Sequence, residues 1–431
     1  MTQLLPAPTG LAGTLAIPGD KSISHRAVML GAISQGATQI HHFLAGEDCL
    51  RTLQAFRKLG VQIEQAQDEV LIHGQGWAGL HATNHPLQMG NSGTTTRLMM
   101  GLLAGRPFAS QMIGDASLQK RPMKRVTEPL KAFGGQVRLS PAGTLPATIT
   151  GQILHPATVE LQVASAQVKS ALILAALQAD GPSTIIEKLP TRNHTELMLR
   201  QFGADITTAS DQRTITVHPA PHLQGQTVTV PGDISSAAFF LVAGAIVPHS
   251  QITLTGVNLN PTRTGILNVL QQMGAQLTVT EYPSASEPIG DLTIQSSSLK
   301  PINLGPVDIP AVIDELPLVA LLAACAQGTS KITGASELRV KETDRIATVS
   351  AELRKLGVQV TELPDGMIIT GRPHWTIKNT QLDSHGDHRI GMMLAIAALK
   401  ADRPLALGHA DAVAVSYPEF FTDLARFRKK A

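Results

Sequence analysis

The chain has 431 residues, of which 43% are apolar, 16% charged and 3% aromatic, and its formal net charge is +2. That length is more than one ordinary core can hold and predicts two domains, while the balanced charge and scarce aromatics exclude a nucleic-acid surface. The two cysteines, Cys49 and Cys325, cannot build a disulfide framework and have no metal-ligand spacing, so they read as buried thiols in a reducing compartment.

The opening stretch MTQLLPAPTGLAGTL lacks the basic and continuous apolar regions of a secretory signal. No apolar run is long enough to span a bilayer, and the chain is expected in the cytoplasm, away from membranes. Pro18–Ile33, PGDKSISHRAVMLGAI, begins with a Pro-Gly turn, continues through Asp20, Lys21, Ser22, Ser24, His25 and Arg26, and ends in the apolar run Ala27–Ile33. Hydroxyls and cations at the mouth of an apolar helix suit an anion, because free backbone N–H groups and the helix dipole point there too. Pro231–Ile246, PGDISSAAFFLVAGAI, lies 213 residues on and matches it at seven of sixteen positions. His81 and His85 fall in a Pro/Asn/Gly-rich loop with no carboxylate or cysteine to complete a site, and read as surface residues.

A second pattern, apolar-x-x-apolar-Gly-small-x-apolar, recurs five times. Its glycines, Gly60, Gly134, Gly203, Gly274 and Gly357, are separated by 74, 69, 71 and 83 residues. The pattern predicts the last turn of an amphipathic helix, a glycine with positive φ, then a strand. The longest interval contains EYPSASEPIG, which reads as an extended turn. Before each amphipathic helix comes a helix rich in small apolar residues: Ala27–Ile33, Leu98–Ala104, Ala171–Ala179, Ala237–Val247, Leu316–Ala326 and Met392–Lys400. Helices apolar most of the way round are expected inside. Each leads into a β-rich run (TQIHHF, PFASQMI, STIIEKL, QITLTGV, SKITGA and PLALGHA), and Glu419–Arg428 supplies the sixth amphipathic helix. Six units thus fill the chain, three per half, with helices inside and sheets outside. Two lobes with a cleft between them follow.

The polar residues just before the six buried helices are Lys21/Ser22/Arg26, Asn91/Gly93/Thr94/Arg97, Ser165/Gln167/Lys169, Asp233/Ser235/Ser236, Asp314/Glu315 and Asp387/His388/Arg389. Capping accounts for Thr94, Ser235 and Ser236. It does not account for Lys21, Arg26, Arg97 or Arg389, since cations are disfavoured at a helix N-terminus unless an anion joins them. Two further clusters occupy strand-to-helix turns: GDASLQKRPMKR, with Lys120, Arg121, Lys124 and Arg125, and RVKETDRI, in which Lys341 and Arg345 are expected to share a helix face beside Glu342 and Asp344. GNSGTTTR lacks the spacing of a nucleotide-binding P-loop, and no GxGxxG follows a strand.

The motifs PGDKSISHRA, GNSGTTTRL, GDASLQKRPM, SAQVKSA, RNHTELML, DELPL, RVKETDRI and GDHRIGM occur in the order seen in the 5-enolpyruvylshikimate-3-phosphate synthases, and the chain resembles that family from about Pro18 to Glu419. GNSGTTTR and SLQKRPM look closer to its second sequence class. The resemblance implies an α/β fold, a two-lobed inside-out α/β barrel of six βαβαββ repeats, with residues 1–18 plus 231–431 in one lobe and 19–230 in the other. It implies transfer of the enolpyruvyl group of phosphoenolpyruvate to the 5-hydroxyl of shikimate 3-phosphate by a monomer, without metal or organic cofactor, and inhibition by glyphosate. By the same resemblance Lys21, Asn91, Gly93, Arg121, Gln167, Lys341, Arg345 and Arg389 hold phosphoenolpyruvate. Lys21, Ser22, Arg26, Ser165, Ala166, Gln167, Arg192, Asp314 and Lys341 hold shikimate 3-phosphate. Asp314, Glu342, Lys341 and Lys21 are the catalytic set, whose acid and base roles are coupled. One departure is that Val413–Ser416, preceding Tyr417-Pro418, carries no lysine, where some members have one. The related enolpyruvyl transferase that acts on a nucleotide sugar is the nearest rival. It typically has a reactive cysteine in a first-half loop and Lys-Asn at the first motif, whereas Lys21 is followed by serine. A non-catalytic repeat scaffold, the other alternative, gives no reason for these charges to occur together.

Overall fold

The five glycines read as helix terminators all have positive φ: +96° at Gly60, +86° at Gly134, +89° at Gly203, +83° at Gly274 and +87° at Gly357. The left-handed conformation reverses the chain at each helix end, where a Cβ would be strained. In three units an arginine three residues before the glycine fastens the reversal. Arg57, Arg200 and Arg354 donate to the carbonyls of Ile63, Ile206 and Val360 at 2.8, 3.1 and 3.0 Å. The structure is a computed structural model that describes residues 1–284 and 287–429. EYPSASEPIG joins the antiparallel strands Gln276–Tyr282 and Ile289–Gln295, and its residues 285 and 286 lie outside the described residues.

The residues divide into a continuous unit, Gly19–Val230, and a discontinuous one, Met1–Pro18 with Pro231 onward. Each has three sheets. The continuous unit surrounds the helices Lys21–Ile33, Gly93–Ala104 and Ala166–Ala176 with its sheets, and the discontinuous unit does the same with Ile234–Ile246, Leu316–Cys325 and His388–Leu399. This is the inside-out α/β fold. The helices are buried along nearly their whole length, because Ala, Leu, Ile, Val and Met occupy every face and leave none to present to water. Most begin several residues before the apolar runs, so the polar mouth residues fall in or beside the first turn. The Ala166 helix stops at Ala176 rather than Ala179, which forms a bridge with Leu154 instead.

In four units the strand before the buried helix runs parallel to the strand after it, as Leu87–Gln88 does with Ala109–Ile113. The other two units exchange these leading strands. Ala12–Ala16, which precedes the Lys21 helix, pairs with Gln251–Asn258. Leu223–Gln224 and Thr227–Thr229, which precede the Ile234 helix, pair with Ser34–His41. Pro18-Gly19 and Pro231-Gly232 are therefore the points where the chain passes from one unit to the other, which explains why both copies carry Pro-Gly. Thr2–Leu4 pairs antiparallel with Leu405–Leu407, giving the sixth sheet the strand its own unit lacks. Among the described residues no helix is long and apolar enough to cross a membrane.

Helices packed this closely tolerate no added volume. A Cβ on Gly101 would lie 1.8 Å from the carbonyl oxygen of Ala171 on the neighbouring buried helix. Gly101→Ala should destabilise the protein by at least about 2 kcal/mol, read as a lower midpoint in urea denaturation. An unchanged midpoint would show that the two helices part without cost.

Candidate functional site

Five of the six buried helices are capped by a side chain, but Thr94, Ser235 and Ser236 are not among the caps. Asp20, Ser92, Ser165, Asp233 and Asp387 accept from the backbone N–H groups of Ile23, Thr95, Val168, Ser235 and Arg389. Thr94, Ser235 and Ser236 lie inside the first turns, one residue or more beyond the caps, which leaves the Thr94 and Ser235 side chains available for other partners.

In the continuous unit Lys21, at the first helical position, forms an ion pair with Asp48 at the start of the helix Glu47–Lys58. Ser22 follows it, half-buried. Arg26, one turn on and buried, donates to the Ser22 carbonyl at 3.0 Å, Ser170 at 2.8 Å and Thr195 at 2.7 Å. Around the mouth of the Gly93 helix, Arg97 donates to Gln167 at 2.5 Å, and Gln167 donates to Thr94 at 2.9 Å. Arg121, from the GDASLQKRPMKR turn, is buried and donates to Asn91 through both side chain and carbonyl, while Asn91 donates to Asp115 at 2.7 Å. Lys120 and Lys124 of the same cluster are exposed. A Cβ on Gly93 would meet Arg97 Nη1 at 3.1 Å and Arg121 Nη1 at 3.3 Å, so two guanidinium groups bracket a bare stretch of backbone. Ser165 and Ala166 form the cap and first residue of the third helix, and Arg192 is half-buried in the turn before the helix His194–Gln201. Lys169 is not at the mouth. It is buried between Glu187 at 3.0 Å and Glu196 at 2.7 Å, where burial pushes the Glu187 carboxyl up despite the lysine.

No motif points to the chain of hydroxyls behind this surface. His25 Nδ1 lies 2.6 Å from Thr52, Thr52 lies 2.7 Å from Thr95, and Thr95 lies 2.6 Å from the cap Ser92. Burial, reinforced by Lys21 and Arg26, holds the His25 imidazole well below its ordinary pKa and therefore neutral.

In the discontinuous unit the cations lie among carboxylates. Arg345 is fully buried and bonds Asp387 at 2.8 and 3.1 Å and Glu342 at 2.6 Å. Burial opposes its charge most strongly, yet Asp387 and Glu342 raise its pKa above the ordinary value. Burial likewise raises Asp387, but Arg345 outweighs it and holds that carboxyl below its usual range. Arg389 donates to the Asp314 carbonyl at 3.0 Å and lies 3.7 Å from the Asp314 carboxylate and 3.6 Å from Glu315. Lys341 is 4.0 Å from Asp314. Lys341 and Arg345 do not share a helix face. Asp344 caps the helix Arg345–Lys355 by accepting from Ala347, so Lys341 is left in extended backbone after the turn Ser336–Val340. Arg263, which no motif marks, donates to Ser235, and Ser235 donates to Glu315, which ties three segments of the unit together.

Capped inner helices with polar mouths recur in both units. The solved structure of an enolpyruvyl transferase, NikO from Streptomyces tendae, has this fold, with a TM-score of 0.80 over 99% of this chain and 97% of that one at 18% identity. The family model for EPSP synthase (3-phosphoshikimate 1-carboxyvinyltransferase) matches residues 5–424, and the chain belongs to that family. It is 60% identical to the 3-phosphoshikimate 1-carboxyvinyltransferase of Lactiplantibacillus plantarum, over 97% of this chain and 96% of that one. It is 51% identical to that of Bacillus subtilis over 98% of each. The EPSP synthase of Acinetobacter baumannii superimposes with a TM-score of 0.86 at 44% identity, over 99% of this chain and 98% of that one.

The Asp387–Arg345 pair sets a pH dependence. Because the folded Asp387 carboxyl titrates below its unfolded counterpart, its stabilisation is complete above the ordinary carboxylate range and is lost as pH falls through the folded value. Asp387→Asn retains a capping side chain but leaves the Arg345 charge short of its partner, and should cost about 3 kcal/mol at neutral pH. Urea titrations across pH should show that gap closing in acid. A gap independent of pH would assign the effect to the cap rather than the charge.

Proposed function

We propose that the two units divide the work of a 3-phosphoshikimate 1-carboxyvinyltransferase, in which the helix mouths of the continuous unit hold anions and the carboxylate cluster of the discontinuous unit moves protons. The observation that carries this is the pair of guanidinium groups, Arg97 and Arg121, around the bare backbone of Gly93. Both substrates carry a phosphate and a carboxylate, and arginine's planar fork matches either bidentately. Phosphoenolpyruvate is assigned to Lys21, Asn91, Gly93, Arg121 and Gln167, with Lys341, Arg345 and Arg389 from the other unit. Shikimate 3-phosphate is assigned to Lys21, Ser22, Arg26, Ser165, Ala166, Gln167 and Arg192, with Asp314 and Lys341 at its 5-hydroxyl.

In the reaction Asp314 accepts the proton of the 5-hydroxyl as its oxygen bonds to C2 of phosphoenolpyruvate, and Glu342 protonates the methylene carbon, giving a tetrahedral intermediate. Loss of a methyl proton and cleavage of the C–O bond to phosphate then restore the enol ether. Glu342 enters the protonation step as the carboxylic acid: Arg345 orients the group, and one fifth of its side chain is exposed, so it can take up that proton from water. Lys341 and Arg389, near Asp314, balance charge as the proton moves. The enzyme works in the cytoplasm as a monomer, and glyphosate competes for the phosphoenolpyruvate site. The nucleotide-sugar reading has less support. Cys49 is buried in the helix Glu47–Lys58, and burial pushes the Cys325 thiol up to about 12, so neither is a poised nucleophile.

Arg121→Ala should lower kcat/KM for phosphoenolpyruvate by at least about tenfold, as expected for losing a charged bidentate contact. Activity near that of the unaltered enzyme in a phosphate-release assay would misplace the site. Gly93→Ala puts a methyl group against Arg97 and Arg121 and should weaken glyphosate inhibition more than turnover. An unchanged inhibition constant refutes this.

A further inference from the structure

The reversal at each helix end leaves a groove between the helix terminus and the strand hairpin after it. In the second unit that groove, about 580 Å³, is lined by Lys131, Gln136, Arg138 and the threonines of the facing strand. In the fifth unit the equivalent groove, about 530 Å³, gains a further wall from the segment 372–378, and its volume is within the range of small-molecule sites. That segment brings Arg372, His374, Trp375 and Lys378, while Arg354 lines the opposite wall. No carboxylate lines the cavity, and among the described residues Arg372, His374 and Lys378 have no ion-pair partner. Trp375 is held in place by its indole N–H, which donates to the Ala324 carbonyl at 3.0 Å, and its ring forms part of the wall.

We infer that this groove is a binding site for a small polyanion bearing a planar ring, the chemistry of a nucleoside triphosphate. Arg354, Arg372 and Lys378 line one groove with no carboxylate among them, a lining that favours an anion, and a fixed indole offers a flat face for a ring. The site is separate from the candidate active site. Arg354 lies nine residues along the helix that begins at Arg345, roughly 13 Å at the helical rise.

The chain has two tryptophans, so Trp77→Phe leaves Trp375 as the single indole reporter. Titrating that variant with ATP should quench its fluorescence saturably, and calorimetry on the unaltered protein should give the same affinity. Arg372→Ala with Lys378→Ala should weaken binding at least about tenfold, as expected for two lost charge-assisted bonds. Tripolyphosphate and adenosine should each bind more weakly than ATP. Absence of saturable quenching and of heat overturns the inference. So does ATP affinity unchanged in the double variant, which would place the nucleotide at the anion-binding helix mouths. Tripolyphosphate binding as tightly as ATP would overturn the role of the indole and with it the ring.

Discussion

A helix that is apolar on every side can be buried only if its polar ends are satisfied, and this constraint shapes the whole molecule. Between the ends of the six inner helices the unit cores are filled mainly by aliphatic and aromatic side chains. The orphan N–H groups of each first turn therefore gather polar partners at the N-terminal mouths, the place where the core admits them. Capping and catalytic chemistry compete for the same few positions. Asp and Ser take the cap, and the residues one and two positions further on become free to turn outward.

The two units use that opportunity in opposite ways. In the continuous unit Arg26, Arg97 and Arg121 donate to hydroxyls, amides and carbonyls, which fix the direction of each guanidinium group. In the discontinuous unit Arg345 and Arg389 lie against Asp387, Glu342, Asp314 and Glu315, so charge is balanced locally and carboxylates are available to exchange protons.

Features written in local periodicity were legible from the chain. The five Gly terminators, the six inner helices and the β-rich runs after them are each fixed by residues close in sequence, and the helix ends shift by only a few positions. Features that depend on which neighbour arrives were not. The exchange of leading strands at Pro18 and Pro231 is not written in the repeat, which looks the same with or without it, and the lobe bounds came from the family resemblance. The cap residues were misjudged because Thr94 and Ser235 are good caps in isolation, and only the preceding Ser92 and Asp233 displace them. Lys341 and Arg345 have helical spacing, yet Asp344 starts the helix after Lys341. Arg263 and the His25–Thr52–Thr95 chain act through side chains more than 25 residues apart, which no motif of this length can encode.

The two copies of the Pro-Gly-Asp motif show how one local structure supports two roles. The shared residues build the crossover and the cap in both. Lys21 and Arg26 of the first copy become Ile234 and Phe239 in the second, and these are core: both are buried, and Phe239 packs edge-on against Phe420 with ring centroids 5.8 Å apart. The second helix mouth therefore loses its own cations, and positive charge reaches it from outside the helix, through Arg263 on Ser235 and its 3.5 Å approach to Asp233. Lys21 on the first helix is balanced by Asp48 of the next helix, and Arg263 beside the second helix is balanced by Asp233. The first mouth thus carries cations of its own, and the second is closed into the structure through Ser235 and Glu315.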